Sequence, residues 1–336
     1  MEFATLARYF EKLEKTSSRL ALIATLAELL RSIERPDEIE KVCYLVQGRI
    51  APFFVALEMG MAEKTVARAI AIAYKITQEN VLALFSTLGD MGLVAEQFSK
   101  ESGITSSVLS VDDVFQGLKA IAQTAGKGTI EKRISLLTDL LKQVDSLSAK
   151  YLVRILLGNL RLGIGDSTIL DALATVKFDD KRYRNLLENA YNKTSDLGLI
   201  ARTLWQYPTR EDAQRAVQQL DVHVGKPIRS EVPERLPDAE TIIEKMGVVD
   251  VQYKYDGFRT QIHKDGNAVS IFSRNLEDMS QMFPELLAGT LKQVRADSVI
   301  LDAETLAYNP ESDEFLPFQE TTRRRRKYHI ETMAKQ

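Results

Sequence analysis

Residues 251–266, "VQYKYDGFRTQIHKDG", set a lone ammonium, Lys254, between two tyrosines, with Asp-Gly directly after and Arg259 five residues on. Lys-x-Asp-Gly-x-Arg offers a nitrogen nucleophile, a tight turn and a guanidinium at fixed spacing. An amine attacks as the free base, a form favoured by burial or by a nearby cation, and Arg259 could supply that charge. The planar fork of Arg259 could also hold a phosphate or a sugar hydroxyl. A solvent-facing strand lysine beside a surface arginine would give the same short pattern, so the rest of the chain must discriminate. Two further constellations follow in order. Ser273-Arg274-Asn275 closes the next strand-like run, and Asp302-Ala303-Glu304 lies inside "VILDAETLAY". A carboxylate on an apolar strand calls for a partner or a ligand.

Proline placement and periodicity define the elements that must carry these groups. Only Pro36 and Pro52 fall in the first 200 residues, and the other seven lie from Pro208 onward. Proline breaks helix interiors, so the first part can be long helices and the second cannot. "LARYFEKLEKTSSRLALIATLAELLRSI" repeats apolar residues at helical spacing and predicts an amphipathic helix or a pair of them. "VLALFSTLGDMGLVAEQF", "VFQGLKAIAQTA", "ISLLTDLLKQV" and "TILDALATV" read in the same way. "VHVGKPIRSEVPERLPDAE" has no helical period and predicts a linker or extended segment near residue 220. Beyond it, "VVDVQYKY", "FRTQIH", "AVSIFSR" and "SVILDAETLAY" predict strands, with Asp265-Gly266 as a hairpin turn. "LEDMSQMFPELLAGTLKQV" predicts a helix between the last two. The second part is therefore α/β or α+β with local antiparallel pairing, and Lys254, Arg259, Arg274 and Glu304 are all expected on strands.

Composition sets the outer bounds. A chain of 336 residues with 45% hydrophobic and 27% charged residues is globular and long enough for two cores. Its net charge of −3 excludes a polycation but leaves room for a local basic stripe. No run reaches the roughly 18 apolar residues of a membrane span, and the N-terminus lacks a signal-peptide apolar core. Cys43 is the only cysteine, which excludes an internal disulfide and suits a reducing cytosol. Its apolar context, "KVCYLVQGRI", predicts a buried core residue. His223, His263 and His329 show no metal-ligand spacing.

The order "QYKYDGFR", "SRN", "LDAETLAY" resembles motifs I, Ia and III of the covalent nucleotidyltransferases, specifically ATP-dependent DNA ligases of the archaeal and eukaryotic replicative type. The likeness extends along the chain. "GKGTIEKRISLLTDLL" and "SAKYLVRILLGNLRLGIGDSTILDALA" look like that family's helical DNA-binding domain. "GKPIRSEVPER" looks like the lead into its catalytic domain, and "LPFQETTRRRRKY" like the basic stretch after motif III. The resemblance implies a multidomain protein: an all-α DNA-binding domain over 1–220, then the first part of an α+β nucleotidyltransferase (adenylation) domain over 221–336. It implies that Lys254 becomes covalently adenylated from ATP, with Arg259 and Arg274 on the nucleotide sugar and phosphates. Glu304 would bind the ribose or help place Mg2+ (or Mn2+). Gln252, where relatives usually carry Glu, would contact adenine. Ser230-Glu231-Val232 also departs from the family's apolar run at that place.

Arg161 and Gly163, in "GNLRLGIG", match the family's minor-groove contact region, where glycines let backbone N–H groups approach phosphates. A glycine-capped turn between helices is the alternative. Arg323-Arg324-Arg325-Arg326-Lys327 is either a solvated loop or a phosphate contact, and Arg323 and Arg324 are the candidates there. The implied partner is nicked duplex DNA in replication, repair and recombination, with a sliding clamp as a further candidate and no membrane. The implied compartment is the cytoplasm, nucleoid-associated, or the nucleus in a eukaryote. An adenine-stacking aromatic, a second metal-associated Glu, a lysine pair and an OB-fold domain are also implied, but none is found before Gln336. The adenylation step is accordingly expected to be weak or absent in these 336 residues. Two other classes stay open: a DNA-binding module without catalysis, and another lysyl-nucleotidyltransferase such as an RNA ligase or a capping guanylyltransferase.

Overall fold

Helical periodicity is realised from Phe3 to Gln218 in the computed structural model, which describes residues 1–57, 59–104, 108–126, 128–231 and 234–322. The helices are α1 (Phe3–Glu14), α2 (Arg19–Arg31), α3 (Pro36–Val46), α4 (Glu63–Tyr74), α5 (Gln78–Leu88), α6 (Met91–Glu101) and α7 (Val111–Gln123). They continue as α8 (Thr129–Leu141), α9 (Ser146–Leu156), α10 (Asp166–Phe178), α11 (Arg184–Thr194), α12 (Leu197–Gln206) and α13 (Arg210–Gln218). The chain divides into two units. One comprises Met1–Pro52, Leu57–Tyr191 and Asp196–Leu220; the other comprises Phe53–Ala56, Asn192–Ser195 and the residues from Asp221 onward.

Local chemistry explains the breaks. The first predicted helical stretch is a pair, α1 and α2, parted at Thr16-Ser17-Ser18. "VLALFSTLGDMGLVAEQF" reads as one helix but forms two. Gly89 ends α5 in the left-handed region (φ 65°), and the Asp90 side chain caps α6 by accepting from Gly92 N–H at 2.8 Å and Leu93 N–H at 3.3 Å. Pro36 occupies the first turn of α3, where its missing N–H costs nothing.

The apolar stripes of these helices, including Phe3, Leu6, Phe10 and Leu13 of α1, close one core. Cys43 is buried in it, and burial pushes its thiol pKa up. Close approach of α6 and α9 depends on Gly92, where a Cβ would lie 2.7 Å from both Arg154 Cγ and the Lys150 carbonyl oxygen. Arg133 is also interior in effect. Its guanidinium donates to the carbonyls of Ile121, Gly60 and Thr124 at 2.7–3.1 Å.

Charges are buried at the end of α1. Glu14 accepts from Lys150 Nζ at 2.8 Å and from Tyr151 OH at 2.6 Å, and lies 2.9 Å from Arg154 Nη1. Burial alone would raise the Glu14 carboxyl, but hydrogen bonds from Lys150, Tyr151 and Arg154 outweigh it and hold it at about 2, down from 4.5.

The second unit contains α14 (Ala239–Met246), β1 (Phe258–Asp265), β2 (Ala268–Ser273), α15 (Pro284–Gln293), β3 (Ser298–Thr305), β4 (Tyr308–Asn309), β5 (Glu314–Phe315) and α16 (Phe318–Thr322). The three-stranded sheet runs β2-β1-β3, antiparallel throughout, and β4 pairs with β5. The β1–β2 hairpin turns through Gly266, as its Asp-Gly pair predicts. Phe258 and Ile262 of β1, Ile271 of β2, Met282 and Phe283 form the core under one face of the sheet, with α15 and α16 against it.

Two expectations fail here. "VVDVQYKY" is not a strand, because β2 pairs with β1 only over Thr260–Asp265 and β3 only over Phe258–Asp265. Chain upstream of Phe258 runs past the ends of both partners and has no ladder to join. The helix read from Leu276 begins only at Pro284, whose ring favours the first turn.

Two variants test these cores. Glu14 is depressed in the fold, so its stabilisation is present above about pH 4.5 and is lost as pH falls towards about 2. Denaturant midpoints measured across that window should show Glu14→Gln less stable than the parent at neutral pH, with the gap closing in acid. Phe283, fully buried, should cost about 3–5 kcal/mol when replaced by Ala. Calorimetry should find the second unit's unfolding lowered.

Candidate active site

Strand register decides which side chains share a face. Along β1, Phe258, Thr260 and Ile262 alternate with Arg259, Gln261 and His263. The first set serves the core, and the second faces the other way. Arg259 stands opposite Glu304 of β3, and Ser273, the last residue of β2, stands opposite Thr260. The start of β1, the end of β2 and the end of β3 therefore coincide, bringing Arg259, Glu304 and the turn residue Arg274 to one end of the sheet.

Arg259 is not free at that end. Its Nε donates to Asp302 Oδ1 at 3.0 Å and its Nη2 donates to the other oxygen of the same carboxylate, a two-pronged ion pair at a half-exposed site. Glu304 and Arg274 are exposed and have no hydrogen-bond or ion-pair partner among the described residues. Asp302, not Glu304, holds the guanidinium, although Glu304 is the direct cross-strand neighbour.

Gly257 shows why the motif needs glycine. A Cβ there would lie 2.5 Å from Leu306 Cδ2, 2.7 Å from the Thr305 carbonyl oxygen and 2.8 Å from Glu304 Cγ. The chain just after Lys254 thus runs against the end of β3. Lys254 is four residues before Phe258, within about 14 Å of chain from the sheet. It is exposed, in non-strand chain, and its ammonium has no partner among the described residues. The expected burial of the amine is absent, and the Arg259 charge is matched by Asp302. Gln252 is exposed as well, its amide donating to Asp250 at 2.9 Å. Beside Lys254, the Tyr255 ring meets Phe315 edge-on at 5.9 Å.

The face of β1 that carries Arg259 has a second use that went unread in the sequence. His263 Nδ1 accepts from Gly225 N–H at 2.9 Å, and its Nε2 lies 2.9 Å from Gln261 Oε1. Gln261 Oε1 also accepts from Ile228 N–H at 2.7 Å, while its Nε2 donates to the Ile228 carbonyl at 3.2 Å. Two side chains strap residues 225–228 onto the sheet. Burial pushes the His263 pKa down to about 4, so the neutral ring accepts at Nδ1 and donates from Nε2. The available signal was alternation, since Arg259, Gln261 and His263 share one face at period two.

Arg161 and Gly163 lie in the other unit, between α9 and α10. Gly158, Arg161 and Gly163 all have positive φ (66°, 58° and 69°), and nothing lies within 4 Å of a Cβ built at Gly158 or Gly163. The loop backbone is open on its outer side. Arg323 and Arg324 lie outside the described residues. No cluster of His, Cys, Asp and Glu that could hold a metal ion occurs among the described residues, and no helix among them is long and apolar enough to cross a membrane.

Two family models match parts of the chain. Residues 2–174 match the family model described as DNA ligase N terminus, and residues 232–336 match the one described as ATP dependent DNA ligase domain. A "Probable DNA ligase" of Dictyoglomus thermophilum is 43% identical over 334 residues, covering 99% of this chain and 56% of that protein. A "DNA ligase" of Saccharolobus solfataricus is 41% identical over 344 residues, covering 98% and 56%. The chain belongs to the ATP-dependent DNA ligase family. It spans a little over half the length of these relatives.

The strap carries its own pH signature. His263 is held below its ordinary 6.5, so an unfolded chain takes up its proton first, and stability present above pH 6.5 is lost as pH falls towards about 4. Urea midpoints of His263→Gln across this range should have a shallower slope than those of the parent.

Proposed function

We propose that this chain is the DNA-gripping and nucleotide-transferring part of a ligase that seals nicks in duplex DNA. Residues 1–220 serve as the DNA-binding domain, and 221–336 form part of the α+β nucleotidyltransferase domain. One observation carries this reading: Arg259, Arg274 and Glu304 meet at one end of the β2-β1-β3 sheet, with Lys254 in exposed chain just upstream.

Lys254 Nζ would attack the α-phosphorus of ATP, forming a P–N bond as the bond to pyrophosphate breaks and the amine loses its proton. AMP would then pass to the 5′-phosphate at the nick, and the 3′-hydroxyl would displace it. Arg259 and Arg274 suit the phosphates and sugar, since a guanidinium binds such oxygens two at a time. Asp302 holds Arg259 in orientation until a phosphate competes for it. Glu304 has an uncommitted carboxylate, which fits a ribose hydroxyl or Mg2+ (or Mn2+). A divalent ion bound there would neutralise phosphate charge. Gln252 is the candidate for the adenine edge.

Incubation with ATP and Mg2+ followed by peptide mass spectrometry tests the nucleophile. An AMP adduct in low yield on Lys254 is expected, absent in Lys254→Arg and reduced about 10²-fold in rate in Arg259→Ala. An adduct that persists in Lys254→Arg would contradict the assignment.

A further inference from the structure

Asp90 is a heavily committed acid of the helical unit. Its residue is 5% exposed, yet three elements meet on its carboxylate. It caps α6 through Gly92 and Leu93. It receives Arg154 from the last turn of α9, with Nη2 at 2.8 Å and Nε at 3.1 Å from Oδ2. It also lies 3.1 Å from Nη1 of Arg161 in the glycine-bearing loop that follows. Two cations on one carboxylate, with Glu14 beyond Arg154, make a chain of alternating charge that is buried at Asp90 and Arg154 and reaches the surface at Arg161.

Arg161 is the unusual member. It holds a left-handed backbone (φ 58°), which a β-carbon disfavours, and its guanidinium is about half exposed. Nε donates to Asn159 Oδ1 at 3.2 Å and Nη1 meets Asp90, while Nη2 has no protein partner among the described residues. A long, flexible side chain is thereby fixed at two points, with one donor group left over. Holding a cation rigid beside an open backbone lowers the ordering cost of binding a phosphodiester. Nothing in packing explains the cost of the strained backbone, because Gly158 and Gly163 around it face open space.

We propose that Asp90 is a positioning residue for duplex DNA: it clamps Arg161 so that the exposed edge of the guanidinium meets the phosphodiester backbone at the loop over residues 158–163. This rests on the reading of that loop as a DNA contact. The inference has a sign that simple electrostatics does not share. Removing a negative charge near a polyanion's site should tighten binding, whereas loss of the clamp should weaken it.

Fluorescence anisotropy of the 336-residue chain on nicked and intact duplex, across a salt series, tests this. The variants are Arg161→Ala, Asp90→Asn, Asp90→Ser and Asp90→Asn with Arg161→Ala. Asn and Ser cap helices about as well as Asp, so α6 keeps its cap while the charge is lost. Loss of one phosphate contact predicts about eightfold weaker binding near 0.1 M salt and a salt slope smaller by about 0.9. Arg161→Ala should show this in full, Asp90→Asn, which keeps the cation but frees it, should show part of it, and the double variant should be no worse than Arg161→Ala alone. Arg161→Lys keeps the charge, leaves the buried Asp90–Arg154 pair intact and cannot hold both anchors. It should fall between the parent and Arg161→Ala, which keeps the test readable if both Asp90 variants melt.

Asp90→Asn binding as tightly as the parent or tighter, or losses that simply add in the double variant, would overturn the positioning role while leaving the loop a DNA contact. Arg161→Lys binding like the parent would do the same. Arg161→Ala binding like the parent at every salt would overturn both.

Discussion

Pairing of β1 along both its edges is the constraint on which the candidate site depends. It is the one strand among the described residues with a partner on each side, so its backbone donors and acceptors are used in both directions. Side chains alternate at period two, and a slip of one residue would exchange the whole set. Arg259, Gln261 and His263 would turn into the core, and Phe258, Thr260 and Ile262 would turn out. The burial of Phe258 and Ile262 against Ile271 and Phe283 therefore fixes the direction of Arg259. The site is specified by residues that never touch it.

The helical unit solves a different problem, which is how to hold charge where helices pack closely. Gly92 lets α9 approach α6, and the approach encloses Arg154, which Asp90 and Glu14 must then balance. The same carboxylate that balances Arg154 also reaches the loop beyond α9. Packing, capping and the aim of one surface cation are tied to a single acid.

Much of this was legible in the residues, for reasons that differ by element. The hairpin at Gly266 rests on the backbone preference of glycine, which acts locally, whereas the start of α15 at Pro284 was read eight residues too early. Arg259 and Glu304 come together because the antiparallel register of β1 on β3 sets them opposite, and Arg274 follows directly on the end of β2. "VVDVQYKY" misled because alternation records a side-chain pattern, not the lengths of the partner strands, and neither β2 nor β3 reaches that far. His263 was passed over because three scattered histidines suggest no metal, while its task is to accept one amide proton from Gly225 and donate one to Gln261. Asp90 was invisible as a partner of Arg161 and Arg154, which lie 71 and 64 residues further along the chain. Only the packing of α6 on α9 brings them together.

Cross-linking measures the register of β1 against β3 directly. With Cys43 replaced by Ala, cysteines at Arg259 and Glu304 stand directly opposite and should join readily under mild oxidation, since facing positions of an antiparallel pair approach within disulfide range. Preferential joining of position 259 to 303 or 305 would place β1 in another register, and the grouping of Arg259, Arg274 and Glu304 would fail with it.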